Sequence, residues 1–178
     1  MHFIVLAFRL LLLALAIALL WFLAFEYFPA DPLGFRPPFA LWVMDTINLF
    51  IHEAGHFFFR PFGQTLSIAG GSLMQCLIPL ALAFVTWREK PGQLAYPLFW
   101  LGENLVNVSV YIADAPQKNL KLIKEGLIHD WHWLLADHLA LAEPVGEAVR
   151  WLGLTVCAVA VVLMTITVVH SVQTIRKS

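Results

Sequence analysis

The run His52-Glu53-Ala54-Gly55-His56 has the residue types and spacing in this chain that are best suited to chemistry. On a helix, two histidines at this spacing lie one turn apart on the same face, where both imidazoles can bind one zinc ion. The glutamate between them can then act as general base on a water bound to the same ion. The run lies in an apolar stretch, where histidines and a carboxylate are costly to bury. We therefore predict an intramembrane zinc site with His52 and His56 as ligands and Glu53 as the catalytic base.

The composition is typical of a membrane protein. Of the 178 residues, 60% are hydrophobic and 13% are charged, and the mean hydropathy is +0.77. A soluble domain of this length does not need so much apolar surface. The formal net charge of −1 gives no reason to expect a nucleic-acid partner, so the lipid bilayer is the expected surrounding.

Five segments are long and apolar enough to span a membrane: residues 3–25, 39–60, 66–86, 94–113 and 150–172. Between the last two, residues 117–149 alternate leucines and tryptophans with charged residues, which predicts an interfacial segment. The sequence thus predicts an all-α fold. We expect a multi-pass bundle of about five transmembrane helices, formed by a single integral membrane domain over residues 1–178.

Polar side chains form a stripe on each of two predicted spans. At about 100° per residue, one arc of the second span carries Asp45, Asn48, His52 and His56. One face of the fourth span carries Glu103, Asn104, Asn107, Tyr111 and Asp114. Such stripes should face each other or a water-filled cavity, because lipid cannot satisfy them.

A catalytic zinc site needs a third protein ligand and one open position. The second and fourth predicted spans run in the same direction, so Asp114 lies towards the same membrane face as His52 and His56. The segment after the fourth span emerges at that face too, and it offers three alternative ligands: His129, Asp130 and His132. Its two histidines are three residues apart, a spacing that can face one metal, whereas its aspartate could instead cap the following helix.

Three further polar residues are candidates for supporting roles. Asp45 precedes His52 by about two helical turns, so it could orient a ligand histidine or lie at a water-filled mouth. Asn104 and Asn107 could hold a substrate strand or form hydrogen bonds between helices.

Together these residues resemble the site-2-protease type of intramembrane zinc metalloprotease. The resemblance is carried by the His52–His56 motif, and by Asn104-Leu105-Val106-Asn107 with the downstream Tyr111-Ile112-Ala113-Asp114. It implies a Zn²⁺-dependent peptidase that hydrolyses peptide bonds of membrane-protein or peptide substrates. It also implies His52, His56 and Asp114 as zinc ligands, Glu53 as base, and a motif that faces the cytoplasm. We expect an integral protein of the bacterial inner membrane.

A second hypothesis, of another class, is a membrane protein that binds metal or haem without cutting anything. Such a chain would be an inactive relative, an assembly factor or a subunit of a complex. Haem b ligation needs one histidine on each of two helices at matched depth. His52 or His56 paired with His170 is the combination that the sequence offers, and it leaves Glu53 without a role.

Overall fold

A computed structural model describes residues 2–27, 36–120 and 127–177, and within these residues all regular secondary structure is helical. The α-helices are α1 His2–Phe25, α2 Phe39–Phe59, α3 Gln64–Glu89, α4 Ala95–Ala113, α5 Asp130–Leu134 and α6 Ala142–Lys177. Short 3₁₀ turns cover Arg60–Phe62, Pro91–Gln93 and Leu139–Leu141. The prediction of an all-α fold is confirmed for the described residues.

The helices lie close to the five predicted spans, with one exception. The ends of α1 to α4 differ from the predicted ends by three residues at most. By contrast, α6 begins at Ala142 rather than at residue 150, and Pro144 lies in its first turn, where a missing N–H costs nothing. Residues 143–149 of the predicted interfacial segment are therefore helical and continuous with the predicted fifth span, although two of them, Glu143 and Glu147, are charged. Residues 121–126 of that segment lie outside the described residues.

Three of the described helical stretches are long and apolar enough to cross a membrane: Phe3–Phe25, Gln64–Glu89 and Leu139–Lys177. The described chain is therefore compatible with an integral membrane protein. The helices α2 and α4 are not among the three, and both carry the polar stripes that lower their hydropathy. That these two helices also cross the bilayer stays a prediction.

Helix α3 joins two parts of the bundle. The most extensive packing is between α4 and α6, and α1 packs on α6 beside them. Helix α2 packs chiefly on α3, and α3 in turn packs on α4. Helix α3 is thus the main packing partner of α2, while side-chain hydrogen bonds also join the polar stripes of α2 and α4 directly.

Small residues allow α2 and α3 to lie very close together. A Cβ atom on Gly55 would collide with the backbone oxygen of Gly70, and one on Gly70 would collide with the side chain of Phe59. A Cβ atom on Gly71 would collide with the imidazole of His52. Close backbone approach through small residues is common in membrane bundles, and here it places a motif histidine directly against α3.

Arg150 of α6 holds the end of α1. Its guanidinium donates hydrogen bonds to the backbone oxygens of Leu23 (3.3 Å), Ala24 (2.8 Å) and Tyr27 (3.4 Å). The last carbonyl groups of a helix have no partners within the helix, so these bonds satisfy them. Tyr27 is thereby placed beside α2, where its hydroxyl donates to Oδ1 of Asp45 at 3.2 Å.

Candidate metal centre

The two histidines of the motif meet a single carboxylate oxygen. His52 and His56 lie one turn apart on α2, with ring centroids separated by 4.8 Å. Asp130, the first residue of α5, approaches them from a distant part of the chain. Its Oδ2 atom lies 2.9 Å from Nε2 of His52 and 3.3 Å from Nε2 of His56. Three potential metal ligands, two from one helix and one from another, therefore converge.

The second ring nitrogen of each histidine faces a carbonyl oxygen. Nδ1 of His52 lies 2.9 Å from Oε1 of Gln75, and Nδ1 of His56 lies 2.8 Å from the backbone oxygen of Ser67. Because a carbonyl oxygen only accepts, both Nδ1 atoms donate a hydrogen, and the two Nε2 atoms face Oδ2 of Asp130. Histidines that bind metals commonly donate their other N–H in this way, which fixes the ring and its tautomer.

The electrostatics of this convergence favour a positive charge between the three atoms. Burial acts to raise the pKa of the Asp130 carboxyl, but its hydrogen bonds to His52 and His56 outweigh burial and leave the pKa below its usual value. An ionised carboxylate and two imidazole lone pairs repel one another unless protons or a metal cation lie among them. Two imidazoles and a carboxylate are a ligand set that zinc accepts in catalytic sites.

Glu53 lies beside the two histidines and faces open space. His52, Glu53 and His56 each offer one ligand atom, and these atoms lie within 4.8 Å of one another. His52 is 8% exposed and Asp130 is 6% exposed, whereas Glu53 is exposed at the wall of a cavity. The cluster could thus hold a metal ion, with Glu53 as a nearby carboxylate that water and a substrate can reach.

The cavity has a volume of about 750 Å³ and lies between α2, α3, α4 and the segment that leads into α5. Its polar wall is formed by the histidine cluster together with Asp45, Gln75 and Asn107. Its apolar wall includes Leu49, Val108, Leu127 and Ile128. A volume of this order is sufficient for a short peptide segment or a small ligand.

Asp114 lies at the end of α4 and forms hydrogen bonds with described residues 119, 120 and 129. Its carboxylate accepts the backbone N–H groups of Asn119 at 2.9 Å and Leu120 at 3.1 Å. It also accepts a hydrogen bond from Nε2 of His129 at 3.2 Å. The structure therefore pairs Asp114 with His129, whereas Asp130 takes the place beside the two motif histidines that the resemblance gives to Asp114.

Both ring nitrogens of His129 form hydrogen bonds. Nδ1 accepts the backbone N–H of His132 at 3.2 Å and so caps α5, while Nε2–H donates to Asp114. Burial lowers the pKa of His129, and this outweighs the opposing effect of Asp114, so the ring is neutral near pH 7. Nδ1 of His132 donates to the backbone oxygen of Ala115 at 2.8 Å. Two of the three alternative ligands thus fasten α5 to the end of α4, and the third, Asp130, projects to the motif.

Two aromatic side chains complete the attachment of α5. Trp131 donates from Nε1 to Oγ of Ser72 on α3 at 3.1 Å. The hydroxyl of Tyr111 on α4 accepts the backbone N–H of Asp130 at 3.2 Å, and its ring lies 5.8 Å from that of His52. The short helix is therefore held by both neighbouring long helices, and Asp130 is held in one position.

The predicted asparagines have different surroundings. Asn107 forms hydrogen bonds between helices, with Gln75 of α3 at 3.0 Å and Asp45 of α2 at 3.1 Å. Asn104 is fully buried and donates to the backbone oxygen of Trp100, one turn earlier in its own helix, at 2.9 Å. The structure therefore places Asn107 in contacts between helices, and Asn104 away from the cavity wall.

Sequence reasoning did not assign a site role to Gln75, Ser67 or Tyr111. Gln75 gave a usable signal, since an amide in an apolar span needs a polar partner at the same depth. The backbone oxygen of Ser67 gave none, because every residue type offers the same carbonyl. Tyr111 was visible on the polar stripe of the fourth span, but its contact with Asp130 depends on the position of α5.

The histidine pair considered for haem is not assembled. His170 is exposed on α6, a helix that packs on α4 and α1, whereas His52 faces α3 and α5.

Comparisons with protein-family models, with curated proteins and with solved structures find no match for this chain. Function is therefore inferred from the geometry of the candidate metal centre.

Proposed function

We propose that this protein is an intramembrane zinc metallopeptidase of the site-2-protease type, with His52, His56 and Asp130 as metal ligands. The observation that carries the proposal is the position of Asp130 Oδ2, at 2.9 Å and 3.3 Å from the two Nε2 atoms. Both histidines have Nδ1 held by a carbonyl oxygen, which leaves Nε2 free to bind. Asp130 replaces Asp114 in the ligand set that the resemblance implies.

Zinc bound by these residues would supply Lewis acidity, which polarises the scissile carbonyl and lowers the pKa of a water ligand. Glu53 is placed to take a proton from the attacking water as its oxygen bonds to the carbonyl carbon. The same carboxyl then passes the proton to the amine nitrogen as the carbon–nitrogen bond breaks. Its exposure at the cavity wall allows both contacts without movement of the buried ligands.

The surroundings of the site support a membrane-associated substrate. Three described helices are apolar enough to span a bilayer, and one wall of the cavity is apolar. We include in the proposal that α2 and α4 also cross the membrane, which gives five spans, and that the protein resides in a bacterial inner membrane. A membrane protein or an apolar peptide is then the substrate class that can reach the cavity from the bilayer.

The substitution Glu53→Gln distinguishes zinc binding from peptide hydrolysis. We expect about one zinc per chain in detergent-purified wild type and in Glu53→Gln, measured by elemental analysis after metal-replete preparation, because the proposed third ligand is Asp130 and not Glu53. His56→Ala is the matched control, and it should lose zinc. A wild-type protein without zinc would contradict the proposed metal centre.

Peptidase activity is tested in membranes that contain the wild type or Glu53→Gln at equal abundance. New protein N-termini, identified by chemical labelling and mass spectrometry, should form with the wild type and be absent with the variant. Loss of the general base should lower turnover at least about 100-fold. Equal sets of N-termini, with zinc retained in both proteins, would instead indicate a metal-binding protein without peptidase activity.

A further inference from the structure

A chain of hydrogen bonds connects His52 with a carboxylate two turns away on the same helix, by way of two other helices. Nδ1 of His52 lies 2.9 Å from Oε1 of Gln75 on α3. Nε2 of Gln75 donates to Oδ1 of Asn107 on α4 at 3.0 Å. Nδ2 of Asn107 donates to Oδ1 of Asp45 on α2 at 3.1 Å. We call these four residues the amide chain.

The amide chain has a direction, and Asp45 sets it. Oδ1 of Asp45 accepts hydrogen bonds from the Tyr27 hydroxyl and from Nδ2 of Asn107, so Asn107 turns its NH₂ group towards Asp45 and its oxygen towards Gln75. Gln75 must then turn its NH₂ group towards Asn107 and its oxygen towards His52. That oxygen requires a hydrogen on Nδ1 of His52, which leaves the lone pair on Nε2 for a metal.

Without a carboxylate at its end, the amide chain could run in either direction. Both amides could turn over together, and Gln75 would then present NH₂ to Nδ1 and place the hydrogen of a neutral His52 ring on Nε2. The hydroxyl of Tyr27, which accepts from Asn107 at 2.9 Å, cannot fix the direction, because a hydroxyl both donates and accepts. Gln75 is 2% exposed, so bulk water does not compete for its amide.

The other histidine does not depend on such a device. Nδ1 of His56 faces the backbone oxygen of Ser67, and a backbone carbonyl accepts in every state of the protein. Of the two histidines, only His52 has a side-chain amide at Nδ1. An amide group can present either its oxygen or its NH₂ group to the ring, so its orientation sets the tautomer.

We propose that Asp45 is a positioning residue of the metal centre, which acts through Asn107 and Gln75 to keep Nε2 of His52 free for a metal. This role rests on the proposed function, since Nε2 matters only if it binds a metal. Asp45 does not touch the ligand position itself. Its effect is transmitted by the direction of two buried amides, in addition to any contribution of the carboxylate to the basicity of the ring.

The first test is zinc affinity, measured by competition with a chromogenic chelator on the full chain in detergent. We expect Asp45→Asn to weaken zinc binding about 10- to 100-fold, as removal of outer-shell partners does elsewhere. Asp137→Asn removes the same charge at an exposed position and should not change the affinity. An unchanged affinity in Asp45→Asn would overturn the proposal.

A double variant tests whether Asp45 acts through the orientation of the two amides or by supporting the fold. In the double variant Asp45→Asn/Gln75→Glu, residue 75 always presents an acceptor to His52, so the affinity should return to within about threefold of the Gln75→Glu single variant. A double variant as weak as Asp45→Asn alone would show that Asp45 acts by supporting the fold, and would overturn the amide chain as the mechanism.

A metal-free measurement keeps the test independent of the proposed function. The variant Asp130→Ala removes the acceptor at Nε2 of His52. In this variant, ¹⁵N chemical shifts of labelled histidine above pH 8 report the tautomer of His52. The His52 signals are assigned by comparison with a His52→Gln sample. We expect hydrogen on Nδ1, and a mixture of both tautomers once Asp45→Asn is added. The same tautomer population in both proteins would overturn the proposal, whether or not the wild type binds zinc.

Discussion

At the scale of single residues, each potential ligand of the candidate metal centre has a second contact that orients it. His52 is held by Gln75, His56 by the backbone oxygen of Ser67, and Asp130 by the Tyr111 hydroxyl at its backbone N–H. Outer contacts of this kind fix the direction of a lone pair before a metal arrives. Asp114 has a different role. Its carboxylate accepts three hydrogen bonds, from the backbone N–H groups of residues 119 and 120 and from the His129 ring.

Asp130 and Asp114 are distinguished by their effect on zinc affinity. We expect Asp130→Ala to weaken zinc binding more than about 100-fold, because it removes a ligand. Asp114→Ala should weaken it about 10- to 100-fold and still bind zinc at saturating metal, because it loosens only the attachment of α5.

The measurement is chelator competition on both variants and the wild type, with a check by size-exclusion chromatography that each remains monodisperse. If Asp114→Ala abolished zinc binding while Asp130→Ala retained it, Asp114 would be the ligand.

At the scale of elements, the position of His52 depends on how closely α2 approaches α3. The backbone of Gly71 lies against the imidazole ring, and the Gly55–Gly70 contact keeps the two helices at that separation. The short helix α5 depends on α3 and α4 for its own position, through Trp131 and the end of α4. The positions of the potential ligands therefore depend on three contacts: α2 with α3, α5 with α3, and α5 with α4.

Gly71→Ala tests the contact between α2 and α3. The added methyl group collides with the His52 ring, so we expect the ring to shift and the zinc affinity to fall about 10- to 100-fold, as for loss of an orienting contact. The visible absorption of the Co²⁺-substituted protein should change in shape, because the ligand geometry changes.

Gly92→Ala is the matched control, since a Cβ atom at Gly92 meets nothing within 4 Å. Affinity and spectrum in that variant should equal those of the wild type. A Gly71→Ala protein with the wild-type spectrum would contradict the described contact between the two helices.

At the scale of the whole molecule, a bound metal would join segments that are distant along the chain. His52 and Asp130 are 78 residues apart and lie on different helices. A ligand that binds only the folded state stabilises it in proportion to the logarithm of its concentration over Kd. Zinc should therefore stabilise the bundle as a whole.

Metal removal should lower the melting temperature. At a free zinc concentration of 100 times Kd, binding contributes about 2.7 kcal/mol, which for a chain of this length corresponds to roughly 5–10 °C. We expect this decrease when a chelator is added to the wild type, followed by intrinsic tryptophan fluorescence in detergent. Asp130→Ala should show no such decrease, and an equal decrease in that variant would indicate an effect of the chelator unrelated to the proposed centre.

Much of the helical architecture was predictable from local sequence. Long apolar runs bounded by proline and glycine predicted α1 to α4 closely, because helix formation and burial in lipid depend on neighbouring residues. The start of α6 was less predictable, since charged residues near its beginning are compatible with either a helix or an interfacial loop. Whether α2 and α4 cross the bilayer stays a prediction, because their polar stripes weaken the signal that composition gives.

The sequence by itself determined the pair His52 and His56 with Glu53 beside them, because the geometry of residues four apart on a helix is local. Only the tertiary structure decided that Asp130, rather than Asp114, reaches the two histidines. Both aspartates were expected at the same membrane face, and the choice depends on how α5 folds back against α3 and α4. The amide chain was likewise beyond the sequence, because its direction is set by contacts among three helices and not by the spacing of residues along any one of them.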